Sequence, residues 1–119
     1  EYVSIQENSM DKKLLQEINH LHAEICGGLS DPKRIAILYA LAEGPKNVME
    51  MAEMLDMPQP TISRHLKILR DRGMVTPERK GANIIYALAD KRIIRALDLL
   101  REVLADHLNQ RSALADAIA

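Results

Sequence analysis

The hydrophobic period of this chain changes twice, and that pattern restricts the fold more than any other feature. From Leu14 to Leu69 apolar residues return every three or four positions, the spacing of one helical face. After Gly73 they return every second position, in Met74-Val75-Thr76-Pro77-Glu78-Arg79 and in Asn83-Ile84-Ile85-Tyr86-Ala87-Leu88, on either side of Lys80-Gly81-Ala82. From Asp90 the helical spacing resumes. Two alternating runs around a Gly-containing turn make a β-hairpin, so the expected fold is mainly α with a small antiparallel β-hairpin. The side chains agree, with three Tyr and neither Phe nor Trp. A core of Leu, Ile, Ala and Met suits packed helices better than a β-sandwich, whose strands favour aromatic and β-branched residues.

Caps and breakers divide the helical part. Glu1 to Asn8 has no period and reads as a frayed terminus. Ser9 is the expected cap of a first helix with the stripe Leu14, Ile18, Leu21 and Ile25, closed by Gly27-Gly28. Asp31 caps a second helix, with Pro32 at its first position, where the missing N–H costs nothing. Ile35, Leu38, Leu41 and Ala42 are its expected buried face, and Gly44-Pro45 stops it. Asn47 and Glu50 have the spacing of a capping box, opening a short helix from Val48 to Leu55. Asp56-Met57-Pro58 forms a turn. A longer helix then runs from about Pro60 to Arg72, with Ile62, Leu66 and Leu69 inward and Gly73 as left-handed C-cap. Short helix, tight turn and longer basic helix make a helix-turn-helix over residues 47–72, followed by the hairpin at 74–88. Pro77 lacks a ladder donor and belongs on an edge or at a bulge. Asp90 caps a last helix with the stripe Ile93, Leu97, Leu100, Leu104 and Leu108, which residues 109–119 either continue or follow with a further turn. At 119 residues the chain is expected to be one domain.

Net charge is −1 overall, but its distribution is uneven. Between Pro60 and Gly81 stand Arg64, Lys67, Arg70, Arg72, Arg79 and Lys80 against Asp71 and Glu78, a net of +4, which leaves −5 for everything else. Gathered positive charge on one segment is the footprint that a nucleic acid requires. The helices at the two ends, residues 9–26 and 90–118, carry apolar stripes that the central elements do not need. They are expected to build a homodimer, with Leu14, Ile18, Leu21, Leu97, Leu100 and Leu104 at the contact.

Three stretches resemble the ArsR/SmtB family of small winged-helix repressors. They are Leu29-Ser30-Asp31-Pro32-Lys33-Arg34-Ile35-Ala36-Ile37-Leu38, Gln59-Pro60-Thr61-Ile62-Ser63-Arg64-His65-Leu66-Lys67-Ile68-Leu69, and the hairpin Lys80-Gly81-Ala82-Asn83-Ile84-Ile85-Tyr86-Ala87-Leu88. The resemblance implies a winged helix-turn-helix, a homodimer through the terminal helices, double-stranded DNA as partner, and repression of an operon from a palindromic operator. It places Gln59, Thr61, Ser63 and Arg64 against base edges, and His65 or Lys67 nearer the DNA backbone. The chemistry fits, because Gln pairs with adenine, Arg with guanine, and Ser or Thr with either. Arg70, Arg72, Arg79 and Lys80 are expected to hold phosphates, which position without reading sequence. Pro58 departs from the family's Ser cap.

The family's inducer sites are not carried over. Where relatives have a Cys-x-Cys-like pair this chain has Asn47-Val48-Met49, and where they place acidic and His ligands on the last helix it has Asp90, Arg92, Val103 and Asp106. Arg92 and Val103 leave no tetrahedral zinc site. The dithiol of sulfur-responsive relatives is replaced at its first place by Tyr39. His20 and His22 fall on different sides of a helix, and His107 has no assigned neighbour. Met49, Met51, Met54 and Met57 read as core packing rather than a copper(I) set. No metal and no cofactor are expected. Cys26, the single cysteine, excludes an intrachain disulfide and reads as a buried structural thiol, with a redox role through an intersubunit disulfide as the alternative.

No nucleophile with a local base, paired carboxylates or phosphate loop is present, so an enzyme is not expected. No apolar run is long enough to cross a bilayer and no signal peptide is recognised, which points to the cytoplasm. The competing class is a winged helix used only for protein contacts, with its basic segment facing an acidic partner.

Overall fold

The Asp11 carboxylate accepts the Lys13 N–H at 3.2 Å and starts the first helix, α1 (Lys12–Leu21). Ser9, the expected cap, and the terminus before it lie outside the residues that the structure, a computed structural model, describes, which are 11–118. The chain divides into two compact units, Glu1–Ala89 and Asp90–Ala119.

In the first unit α1 continues through a π-helical segment, His22–Cys26, and a last turn at Gly27-Gly28. Asp31 then caps α2 (Pro32–Ala42), accepting the Lys33 N–H at 2.8 Å with Pro32 at the first position. The buried face of α2 is Arg34, Ile37, Leu38, Ala40 and Leu41. Leu38 and Leu41 match the sequence expectation, whereas Ile35 is half-buried and Ala42 exposed. Asn47 and Glu50 close both halves of the capping box at 2.8 Å and open α3 (Val48–Leu55). Asp56 takes left-handed backbone, φ 54°, to turn the chain toward α4 (Gln59–Asp71). That helix ends on Gly73, φ 72°, where the Gly73 N–H donates to Arg70 O and the Met74 N–H to Leu69 O, each at 2.9 Å. Paired bonds of this kind satisfy the last carbonyls of a helix, and Gly takes the left-handed position without a Cβ clash.

Strand β1 (Val75–Lys80) pairs antiparallel with β2 (Asn83–Leu88), from Val75 opposite Leu88 to Lys80 opposite Asn83. The turn is thus two residues, Gly81-Ala82, and Gly81 carries the positive φ of 64° that a tight hairpin requires. Tyr86 exchanges both backbone bonds with Lys46, at 2.8 and 3.0 Å, and it sits opposite Pro77. Since those groups point away from β1, Pro77 occupies a non-hydrogen-bonded place where its absent N–H is not missed.

Ile62, Leu66 and Leu69 of α4 are fully buried, together with Ile37 and Leu38 of α2 and Met51 of α3, and Val75 of β1 is nearly so. Helices α2 and α3 and strand β1 all pack on α4. Its inner face is therefore fixed, and its opposite face is left outward. Met51 is the buried methionine of α3, while Met49 and Met54 stand exposed rather than packing as expected.

The second unit is α5 (Arg92–Ile118), one helix of 27 residues, so residues 109–118 continue it. Asp90 accepts the Arg92 N–H at 2.9 Å and takes the Arg92 guanidinium on both oxygens, at 2.6 to 3.1 Å. The Arg92 side-chain and backbone bonds hold the Asp90 carboxyl down at about 2. A depressed carboxylate lends stability that is full above the ordinary value of about 4 and is lost as pH falls. Asp90→Asn is thus expected to melt earlier than the parent at neutral pH, with the two melting curves converging near pH 2. Of the residues expected at a dimer contact, Leu100 and Leu104 are exposed, as are Leu14, Ile18 and Leu21 of α1, and Leu97 is buried.

Candidate nucleic-acid interface

The outer face of α4 gathers most of the residues singled out in the sequence. Gln59, Ser63, Arg64, Lys67 and Arg70 are exposed and Thr61 is half-buried. Pro58 occupies the cap and offers no side-chain acceptor, yet its carbonyl takes the Thr61 and Ile62 N–H groups at 3.0 and 3.1 Å. Pro60, at the second helical place, has no N–H to satisfy. The helix start is therefore set by backbone bonds and two prolines in place of a side-chain cap.

Gln59 and Ser63 also line a groove of about 300 Å³ with Asn47, Val48 and Met49 of the α3 start and Ala82, Asn83, Ile84 and Tyr86 of the hairpin. The groove brings the first turn of α4 beside the wing tip. Asn83 in this position was not singled out in the sequence, because only the tertiary fold brings it beside Gln59. Arg79 and Lys80 are exposed on β1, close to the turn. Lys67 pairs with Asp71 at 3.1 Å, an exposed i,i+4 pair that a stronger anion can displace.

Two expected backbone contacts are placed otherwise. His65 is buried, 4% exposed, with Nδ1 3.2 Å from Arg34 Nη1 and Nε2 4.0 Å from Asp31 Oδ2. A ring on the inner face of α4 cannot reach a phosphate across the helix. Arg72 is half-buried, and its Nη1 donates to Ala23 O and Glu24 O. Arg34 does the same further on, with Nε to Gly28 O at 2.8 Å and Nη2 to Gly27 O and Ser30 Oγ at 3.3 Å. The carbonyls at the end of the first helical run have no helical partners. Arg34 supplies Gly28 O and, with the Ser30 hydroxyl at 2.8 Å, Gly27 O, while Arg72 reaches carbonyls inside the π-helical segment, and a cation there also suits the helix dipole. Arg34, which was read in the sequence only as part of a family motif, is thus the residue that ties α1, α2 and α4 together.

Cys26 is exposed, which overturns the reading of a buried structural thiol. Among the described residues no three His, Cys, Asp or Glu side chains come together as a metal site, and no helix is long and apolar enough to cross a membrane. The carboxylate of Asp90 is taken up by Arg92.

A short helix, a turn, a longer helix with a cationic outer face and a β-hairpin directly after it define a winged helix-turn-helix protein. The structure resembles the solution structure of a homodimeric winged helix-turn-helix DNA-binding domain from Mycobacterium bovis, described as a possible ArsR-family regulator, with a TM-score of 0.71 and 25% identity, covering 86% of this chain and 94% of that one. Residues 31–76 match the model of the bacterial regulatory protein arsR family. The regulator CmtR of M. bovis is 35% identical over 102 residues, 81% of this chain and 86% of its own length. The repressor SmtB of Mycobacterium tuberculosis is 44% identical over 75 residues, 63% of this chain and 56% of SmtB, so the chain spans little more than half of that relative. The chain belongs to the ArsR family.

Proposed function

We propose that this chain is a sequence-specific DNA-binding transcriptional repressor, acting in the cytoplasm as a homodimer on a palindromic operator, with an inducer other than a metal at the usual family sites. The observation that carries the reading is the outer face of α4. Gln59, Ser63, Arg64, Lys67 and Arg70 are exposed on a helix whose opposite face is locked into the core. Such a helix can enter a major groove as a rigid body. In this reading Gln59, Thr61, Ser63 and Arg64 meet base edges, while Lys67, Arg70, Arg79 and Lys80 meet phosphates. Buried His65 and carbonyl-bound Arg72 hold the helix instead. The names of the relatives agree, SmtB being a transcriptional repressor and the M. bovis domain a homodimeric DNA-binding one. Exposed Leu14, Leu15, Ile18 and Leu21 on α1, and Leu100, Val103, Leu104 and Leu108 on α5, support a second copy as cover.

The test is a gel shift with duplexes selected from random sequence, repeated across salt concentrations. Affinity should fall steeply with salt, by a slope near −0.9 for each phosphate neutralised. Arg64→Ala should lower preference for the selected sequence by about 10- to 100-fold, and Lys80→Ala should weaken all sequences alike. Equal losses on every sequence from both variants would overturn this division of labour. No DNA protection at all would leave the basic face to an acidic protein partner.

A further inference from the structure

We propose that His65 is a positioning residue whose uncharged ring the recognition helix α4 requires, so that mild acid releases the protein from DNA. This rests on the DNA-binding reading above and adds a signal to it.

The argument begins with Arg34. A guanidinium has N–H donors and no acceptor. With Arg34 Nη1 3.2 Å from His65 Nδ1, that ring nitrogen must accept, and the ring proton of the neutral form sits on Nε2. Nε2 is buried without a hydrogen-bond partner, facing Asp31 Oδ2 from 4.0 Å. The site is therefore built for one tautomer of a neutral ring. A charged ring puts N–H against N–H at the Arg34 side, and draws Nε2 toward Asp31. The link between α2 and α4 then becomes a repulsion on one edge of the ring and a pull on the other.

Arg34 cannot simply retreat, because Gly27 O, Gly28 O and Ser30 Oγ hold its other nitrogens. The movement falls on α4, where Ser63 and Arg64 immediately precede His65. The charged groups acting on the ring are Asp31, Arg34 and Lys33 from α2 and Arg64 from α4 itself. Helix α3 and strand β1, also packed on α4, turn Met51 and Val75 into the core. Burial is the largest influence and pushes the ring below the ordinary histidine range, with Arg34, Arg64 and Lys33 acting the same way and Asp31 opposing them. The ring is thus neutral at neutral pH and charges in acid, and the link it makes is lost as pH falls.

The experiment measures affinity of the full chain for a selected duplex at about pH 7.5 and about pH 5, with an expected loss of several-fold at the lower pH that grows as the ring charges. His65→Asn keeps an acceptor near the Nδ1 place and cannot charge, so its ratio of affinities at the two pH values is expected to fall to about 1. A variant with His20, His22 and His107 all changed to Gln should keep the loss. The NMR titration of the His65 ring in the parent should share its midpoint with the loss of DNA, and thermal melts at both pH values should show folded protein. Affinity that stays flat or rises in acid, as mere addition of positive charge would cause, overturns the proposal. So does a pH dependence that survives His65→Asn, or a ring that titrates elsewhere. Failure to bind any duplex at the higher pH overturns the DNA-binding reading itself.

Discussion

Arg34→Ala is expected to destabilise the chain by about 3 kcal/mol, which lowers Tm by roughly 10 °C or more. The size follows from what the guanidinium leaves behind. Its removal strips Gly28 O of its donor at the end of the first helical run, leaves Gly27 O with the Ser30 hydroxyl alone, and leaves His65 Nδ1 without its partner. Each buried polar group so orphaned costs about 1–3 kcal/mol, more than the net gain of making the bond. The residue is only 9% exposed, so water reaches the vacated groups poorly unless the packing opens. Arg34→Lys should recover part of the loss, since an ammonium can serve one carbonyl but cannot span Gly28, Ser30 and His65 together. Thermal melts followed by circular dichroism read both variants. A change within about 0.5 kcal/mol, the usual range for surface substitutions, would show that the network is dispensable.

Arg34 also shows where sequence reading stops. The caps of α2, α3 and α4 were legible because each is decided within a few residues: Asp31 with Lys33, Asn47 with Glu50, Gly73 with Leu69 and Arg70. The hairpin was legible from its period of two, apart from Lys80 joining the strand and shortening the turn. The phase of α2 was not. From Ile35 to Ala42 almost every residue is apolar, so the period is visible but the direction of the buried face is not. The structure turns that face to Arg34, Ile37, Leu38 and Leu41. The same limit hid His65, whose partner stands 31 positions earlier, and Arg72, which reaches back 49 positions to Ala23. On the candidate interface, exposure of Gln59, Ser63 and Arg64 followed from the helical stripe, because Ile62, Leu66 and Leu69 fix the inward side. What the inward side does with a histidine and two arginines required the packed structure.

The second large effect concerns the proposed dimer. Leu100→Glu combined with Leu104→Glu should convert a dimer to a monomer by sedimentation, and lower affinity for the selected duplex by about 100-fold or more. Leu100 and Leu104 are 60% and 56% exposed, one helical turn apart on α5, so their change removes little packing within one chain. Burying a Leu side chain is worth roughly 1.5–3 kcal/mol, and two-fold symmetry counts every substitution twice. The loss on DNA follows separately. Two half-sites joined in one molecule gain about 10²- to 10⁴-fold in avidity over one, and a monomer forfeits that gain with its reading face intact. Residual binding of the double variant should therefore keep the sequence preference that Arg64→Ala loses. A double variant that stays dimeric would move the contact off this stretch of α5, and a monomer with undiminished affinity would show that one winged helix suffices.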